Sequence, residues 1–126
     1  LYGDGCQVRD ILDVGDAVDA YMAAWRRIDE VAGRAFNLGG GPANAVSLRQ
    51  LMQHVEEVVG HRRDLRFADW RAGDQRYFVA DTRAIRSVLG LPQARGWRDG
   101  VAALAEWLAA ERGLTLGEAP RLRISA

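Results

Sequence analysis

The segment from Ser47 to Gly60 constrains the fold more than any other stretch. Ser47 and Gln50 have the spacing of a capping box, and Leu48, Leu51, Met52, Val55 and Val59 recur at three- and four-residue steps. Gly60 then supplies a stop. An amphipathic helix of this kind must lay its apolar stripe on another layer, so the chain needs a packed α/β or α+β arrangement and not an extended one.

The flanking segments supply the other elements. Gln7–Val14 alternates like a short strand, and a helix is expected from about Asp16 to Ile28. In that helix region Val14, Val18, Tyr21, Trp25 and Ile28 form one stripe, with Arg26 and Arg27 at the negative end of the helix dipole. Ala35-Phe36-Asn37-Leu38 reads as a buried strand that runs into the flexible loop Gly39-Gly40-Gly41-Pro42. Residues 64–69 and 76–80 are further short strands, around Leu65 and Phe67 and around Tyr77, Phe78 and Val79. Asp81 is placed to cap a helix holding Ile85, Val88 and Leu89, which Gly90 closes. Trp97, Val101, Leu104 and Leu108 define a last helix ending at Gly113. The expected fold class is therefore mixed α/β (α+β), with short strands and about four helices. Residues 1–114 form one domain, and 115–126 an irregular tail.

Lys+Arg and Asp+Glu number 17 each, so the chain carries no formal net charge. That balance argues against nucleic acid or an anionic membrane as a partner, and no apolar run is long enough to span a bilayer. A lone Cys6 allows no internal disulfide and is consistent with a reducing cytoplasm. Every basic residue is Arg, because the sequence contains no lysine. Schiff-base chemistry, a P-loop lysine and a Tyr-x-x-x-Lys proton relay are thereby excluded within this chain. Arginine carries a fixed charge on a planar fork, which suits phosphate binding better than proton transfer. The composition favours binding over turnover. The opening Leu1-Tyr2-Gly3-Asp4-Gly5 has no start-like character and reads as the interior of a longer protein.

Three segments carry a resemblance. They are Tyr2-Gly3-Asp4-Gly5-Cys6-Gln7-Val8-Arg9-Asp10 with Val14-Gly15-Asp16; Phe36-Asn37-Leu38-Gly39-Gly40-Gly41 with Ser47-Leu48; and Asp69-Trp70-Arg71-Ala72-Gly73-Asp74-Gln75-Arg76 with Ala80-Asp81 and Leu89-Gly90. In this order they resemble the C-terminal, substrate-binding part of the extended short-chain dehydrogenase/reductase family. That family contains NAD-dependent nucleotide-sugar epimerases and dehydratases, and the likeness is greatest to its 2-epimerase branch acting on CDP-sugars. Gly15 stands where an acidic or small polar residue is usual, and Ala72 where proline is common.

The resemblance implies an isomerase in which bound NAD transiently oxidises the sugar and then returns the hydride. It places the dinucleotide turn and the Tyr-x-x-x-Lys relay in a Rossmann half that this sequence does not contain. The expectation is that the chain holds no NAD on its own and supplies no catalytic residue. It also implies roles for particular residues. Arg9 and Arg71 match the two arginines that reach the substrate diphosphate, and Asp74 matches the acidic residue at a ribose hydroxyl. Phe78 falls near the sugar pocket, although a core role is the stronger reading for it. Asn37 and the glycines after it could approach the dinucleotide or the substrate, or could simply end a strand. Tyr2 and Gln7 are candidates for the nucleobase.

Other polar and aromatic residues read as structural. Trp25, Trp97 and Trp107 are expected to pack helices, His54 and His61 to be solvated, and Asp10, Asp13 and Asp16 to cap turns. The expected partner is a nucleotide-diphosphate sugar, together with either a separate Rossmann half or a second copy in a homodimer. A truncated, self-associating module without enzymatic activity is the alternative.

Overall fold

A computed structural model describes residues 1–62 and 64–117. Residues 118–126, most of the expected tail, lie outside the described part.

Strand β1 (Val8–Asp10) belongs to the only sheet among the described residues. It pairs antiparallel with β2 (Ala45–Ser47), with Arg9 opposite Val46. On its other edge, the Val8 N–H donates to the Arg76 carbonyl at 2.9 Å and Phe78 donates to the Val8 carbonyl at 3.0 Å. This parallel contact at Val8 and Tyr77 is a single bridge, so the strand expected over 76–80 is an extended segment touching the sheet once. The strand expected over 64–69 is likewise reduced to one bridge, between Ala68 and Tyr2. Ala35–Leu38 forms no ladder at all. In each case an apolar or alternating run is present and a full pairing strand alongside is missing.

The helix expected from Asp16 starts two residues earlier. Helix α1 spans Val14–Arg26, because the Asp13 carboxylate accepts from the Gly15 N–H and caps it. A Cβ at Gly15 would displace the Arg95 guanidinium that pairs with Asp13 at 2.7 Å. The chain breaks at Arg27 and continues as α2 (Ile28–Val31). The stripe that the spacing defines faces outward. Val14, Val18, Tyr21, Trp25 and Ile28 are all exposed, Val14 to 75 % and Tyr21 to 73 %. The packed face is made of Ala20, Ala23 and Ala24, and it meets a cluster of Val31, Ile85 and Leu89 backed by Phe36 and Leu38.

Helix α3 (Leu48–Val59) has the capping box the spacing predicts, with Ser47 and Gln50 bonded reciprocally, and ends on Gly60 at φ 75°. Helix α4 (Arg83–Leu89) begins after Thr82, one residue later than expected, while Asp81 still accepts from the Arg83 N–H. Helix α5 (Trp97–Arg112) closes at Gly113. It packs on α3, where His54 meets Trp97 edge to face at 5.1 Å. The solvated reading of His54 is thereby corrected: its side chain is only 15 % exposed. Trp97 is buried as expected, whereas Trp25 and Trp107 are exposed at 69 % and 59 %. Five α-helices and one two-stranded sheet make up the described fold, with α2 the helix not foreseen.

Candidate functional site

An open recess is lined by Leu1, Tyr2, Gln7, Arg9, Leu48, Arg71, Ala72, Gly73 and Asp74. Three local features build it. Strand β1 fixes Arg9 by pairing on both of its edges. The first residues lie beside Ala68, where Gly3 donates to the Ala68 carbonyl at 2.8 Å and Ala68 donates to Leu1 at 2.7 Å. A turn then returns Arg71 and Asp74, closed by the Asp74 N–H on the Arg71 carbonyl and by Gly73 at φ 78°.

The recess thus gathers Tyr2, Gln7, Arg9, Arg71 and Asp74, five of the seven residues singled out from sequence. Arg9 Nη2 donates to Asp74 Oδ1 at 2.9 Å, and Nη1 donates to the Val8 carbonyl at 2.8 Å. Both side chains are partly buried, so the guanidinium is held in one orientation. Arg71 is exposed and rests 3.6 Å from the centroid of the Tyr2 ring. Its hydrogen bond and charge hold the Tyr2 hydroxyl below the usual tyrosine pKa. Two guanidinium groups lining one recess are suited to a dianionic ligand. Phe78 and Asn37 are both exposed, and neither lines this recess.

The glycine run has a different use. A Cβ on Gly40 would overlap the Ile11 carbonyl oxygen, and one on Gly39 the Asp10 carboxylate. The Gly41 N–H donates to Asp10 Oδ2 at 2.9 Å, and so does Ala80 at 3.2 Å. These glycines let chain pack on chain, with the N–H of Gly41 committed to Asp10. The Gly41 N–H that could otherwise face a pyrophosphate is thus occupied. Asp10 joins β1, the glycine loop and residue 80, a role its reading as a turn cap missed.

Asn44 was also missed. It is 2 % exposed, donates to the Arg95 carbonyl at 2.8 Å and accepts from the Trp97 N–H at 2.9 Å. Its amide thereby fixes the start of α5, and only the Pro42-Ala43-Asn44 turn hinted at it. Among the described residues no cluster of potential metal ligands occurs, and no helix is long and apolar enough to cross a membrane.

Residues 1–39 match the family described as "NAD dependent epimerase/dehydratase family". The chain is 34% identical over 109 residues to the CDP-paratose 2-epimerase of Salmonella typhi, covering 85% of this chain and 32% of that protein. It is 35% identical over 115 residues to the dTDP-glucose 4,6-dehydratase of Streptomyces griseus, with the same coverage of 85% and 32%. Among solved structures it is similar to MoeE5 in complex with UDP-glucuronic acid and NAD, at a TM-score of 0.72 and 34% identity over 90% of this chain and 36% of that one. The UDP-glucuronic acid 4-epimerase of Bacillus cereus shares the fold at a TM-score of 0.78 and 22% identity, over 88% of this chain and 35% of that one. The chain spans about a third of the length of the curated relatives it matches.

Proposed function

Because this chain corresponds in sequence and in fold to about a third of an NAD-dependent epimerase/dehydratase, we propose that it is the part that binds the nucleoside-diphosphate sugar. Arg9 and Arg71 hold the diphosphate, and Asp74 accepts from a ribose hydroxyl while keeping Arg9 oriented. The observation that carries the reading is the shared recess: residues 62 positions apart, Arg9 and Arg71, line it together with Asp74. Phosphate gives each guanidinium a charged acceptor in the fork geometry it matches. The likeness to a CDP-sugar 2-epimerase favours epimerisation by the complete enzyme, with CDP- or UDP-sugars as ligands. This chain contributes substrate positioning and no proton relay, since it has no lysine.

Titration of CDP- and UDP-sugars against the wild type and an Arg71→Ala variant tests the reading. Loss of a charged hydrogen-bonded contact costs about 1.5–3 kcal/mol, which is roughly ten- to hundredfold in affinity. Equal affinity of the two proteins at moderate salt would refute it.

A second reading is favoured by α1. Its exposed stripe of Val14, Val18, Tyr21 and Trp25 is the kind of apolar surface that associates, so the isolated chain pairs with a second copy of itself.

A further inference from the structure

Arg71 is exposed, and the turn over residues 69–75 that carries it contains a single backbone hydrogen bond, from the Asp74 N–H to the Arg71 carbonyl at 3.1 Å. A loop with so few bonds of its own orders only through what it packs against. Its far end is anchored by Asp74, whose carboxylate accepts from Arg9 Nη2 at 2.9 Å. Its near end is anchored by Trp70.

The Trp70 indole lies against the backbone of Gly3. A Cβ on Gly3 would come within 2.5 Å of Trp70 Cε2 and 2.7 Å of Cδ2 and Cζ2, so the ring takes this place only because residue 3 has no side chain. Gly3 is itself fixed, at φ 71° and with its N–H on the Ala68 carbonyl at 2.8 Å. The Arg76 guanidinium, from just beyond the turn, is 5.3 Å from the centroid of the Trp70 ring. Tyr2 precedes Gly3 and Arg71 follows Trp70, and these two also meet, at 3.6 Å. Two adjacent pairs, Gly3 with Trp70 and Tyr2 with Arg71, therefore set the turn against the start of the chain. The indole is large and rigid, so it gives the turn much contact for little loss of side-chain freedom. Trp70 does not line the recess, so any effect it has on a ligand there passes through its neighbour.

We propose that Trp70 is a positioning residue for the diphosphate site: seated on Gly3, it holds the turn so that Arg71 faces the recess in one orientation. The inference rests on the nucleoside-diphosphate reading above. Without the indole the turn samples more conformations, and binding has to order it before Arg71 can meet a phosphate.

The test is a double-mutant cycle read by calorimetric titration with UDP, over the wild type, Trp70→Ala, Arg71→Ala and the variant carrying both. Trp70→Ala should bind roughly tenfold less tightly than the wild type, and should cost nothing further once Arg71 is alanine. An equal loss in both backgrounds overturns the inference, because Trp70 then acts independently of Arg71, as a merely structural residue would. A measurement on the wild type stands even where Trp70→Ala fails to fold. The indole should shift the Gly3 Hα resonances upfield, and that shift should persist at UDP saturation. Its collapse in the bound state overturns the inference, since the seat would then be lost when Arg71 is engaged. Absence of UDP binding by the wild type defeats the nucleoside-diphosphate reading and this inference with it. UDP binding that is unchanged in a folded Trp70→Ala defeats the inference alone.

Discussion

Each charged side chain in the recess is partnered by the chain itself, Arg9 by Asp74 and Arg71 by the Tyr2 ring. The two partnerships differ in strength. The Arg9 pair is hydrogen-bonded and partly buried, so it persists and orients the fork. The contact of Arg71 with Tyr2 is exposed and weaker, and yields to a charged hydrogen bond with phosphate. Elsewhere, carboxylates are tied to arginines with a consequence for pH. Arg83, together with its own backbone N–H, holds the Asp81 carboxyl at about 2. Arg95 and the first N–H groups of α1 hold the Asp13 carboxyl below the usual range. The folded state thus binds these protons less readily than the unfolded chain. The stabilisation is present above the unfolded carboxylate pKa, about 4, and is lost as pH falls towards 2. The thermal midpoint should drop between pH 5 and 2.5, and Asp13→Asn should show a smaller drop over that window. An unchanged slope in Asp13→Asn would assign the acid sensitivity to other groups.

At the scale of elements, what was legible depended on whether the signal was local. The capping box of α3, its αL glycine and the glycine stops of α4 and α5 all involve residues within a few positions, and each occurs where the spacing put it. Helix α1 shows the limit. Its large apolar residues repeat with helical period, but the face that packs lies roughly 120° away and is made of alanines. Periodicity identifies a helix, whereas the face that is buried depends on which neighbour is present. The strands expected at 35–38, 64–69 and 76–80 fall short for the same reason, because an apolar or alternating run does not supply a pairing strand. The exposed stripe carries its own expectation. Light scattering should show association that grows with concentration, and Tyr21→Glu with Trp25→Glu should reduce it. A monodisperse monomer at high concentration would contradict the self-association reading.

Over the whole molecule, the site is assembled from positions that no spacing rule joins. Arg9 and Asp74 are 65 residues apart in sequence and 2.9 Å apart in space. Their association was legible only through the resemblance, which placed both in one substrate site. Asp10 and Asn44, which tie the glycine loop and α5 to the sheet, carried no such signal, because a short polar side chain near a turn has many local uses. Phe78 and Asn37 were singled out on the same resemblance, and neither lines the recess, although the Phe78 N–H is bonded to Val8 beside Arg9.

The central claim is that two guanidinium groups converge on one diphosphate. Titrating UDP into ¹⁵N-labelled protein while following the arginine Nε–Hε resonances of Arg9 and Arg71 tests it directly. Both resonances should shift along a single saturating isotherm, and inorganic pyrophosphate should compete for it. Movement of one resonance without the other, or two isotherms with different midpoints, would contradict a shared diphosphate.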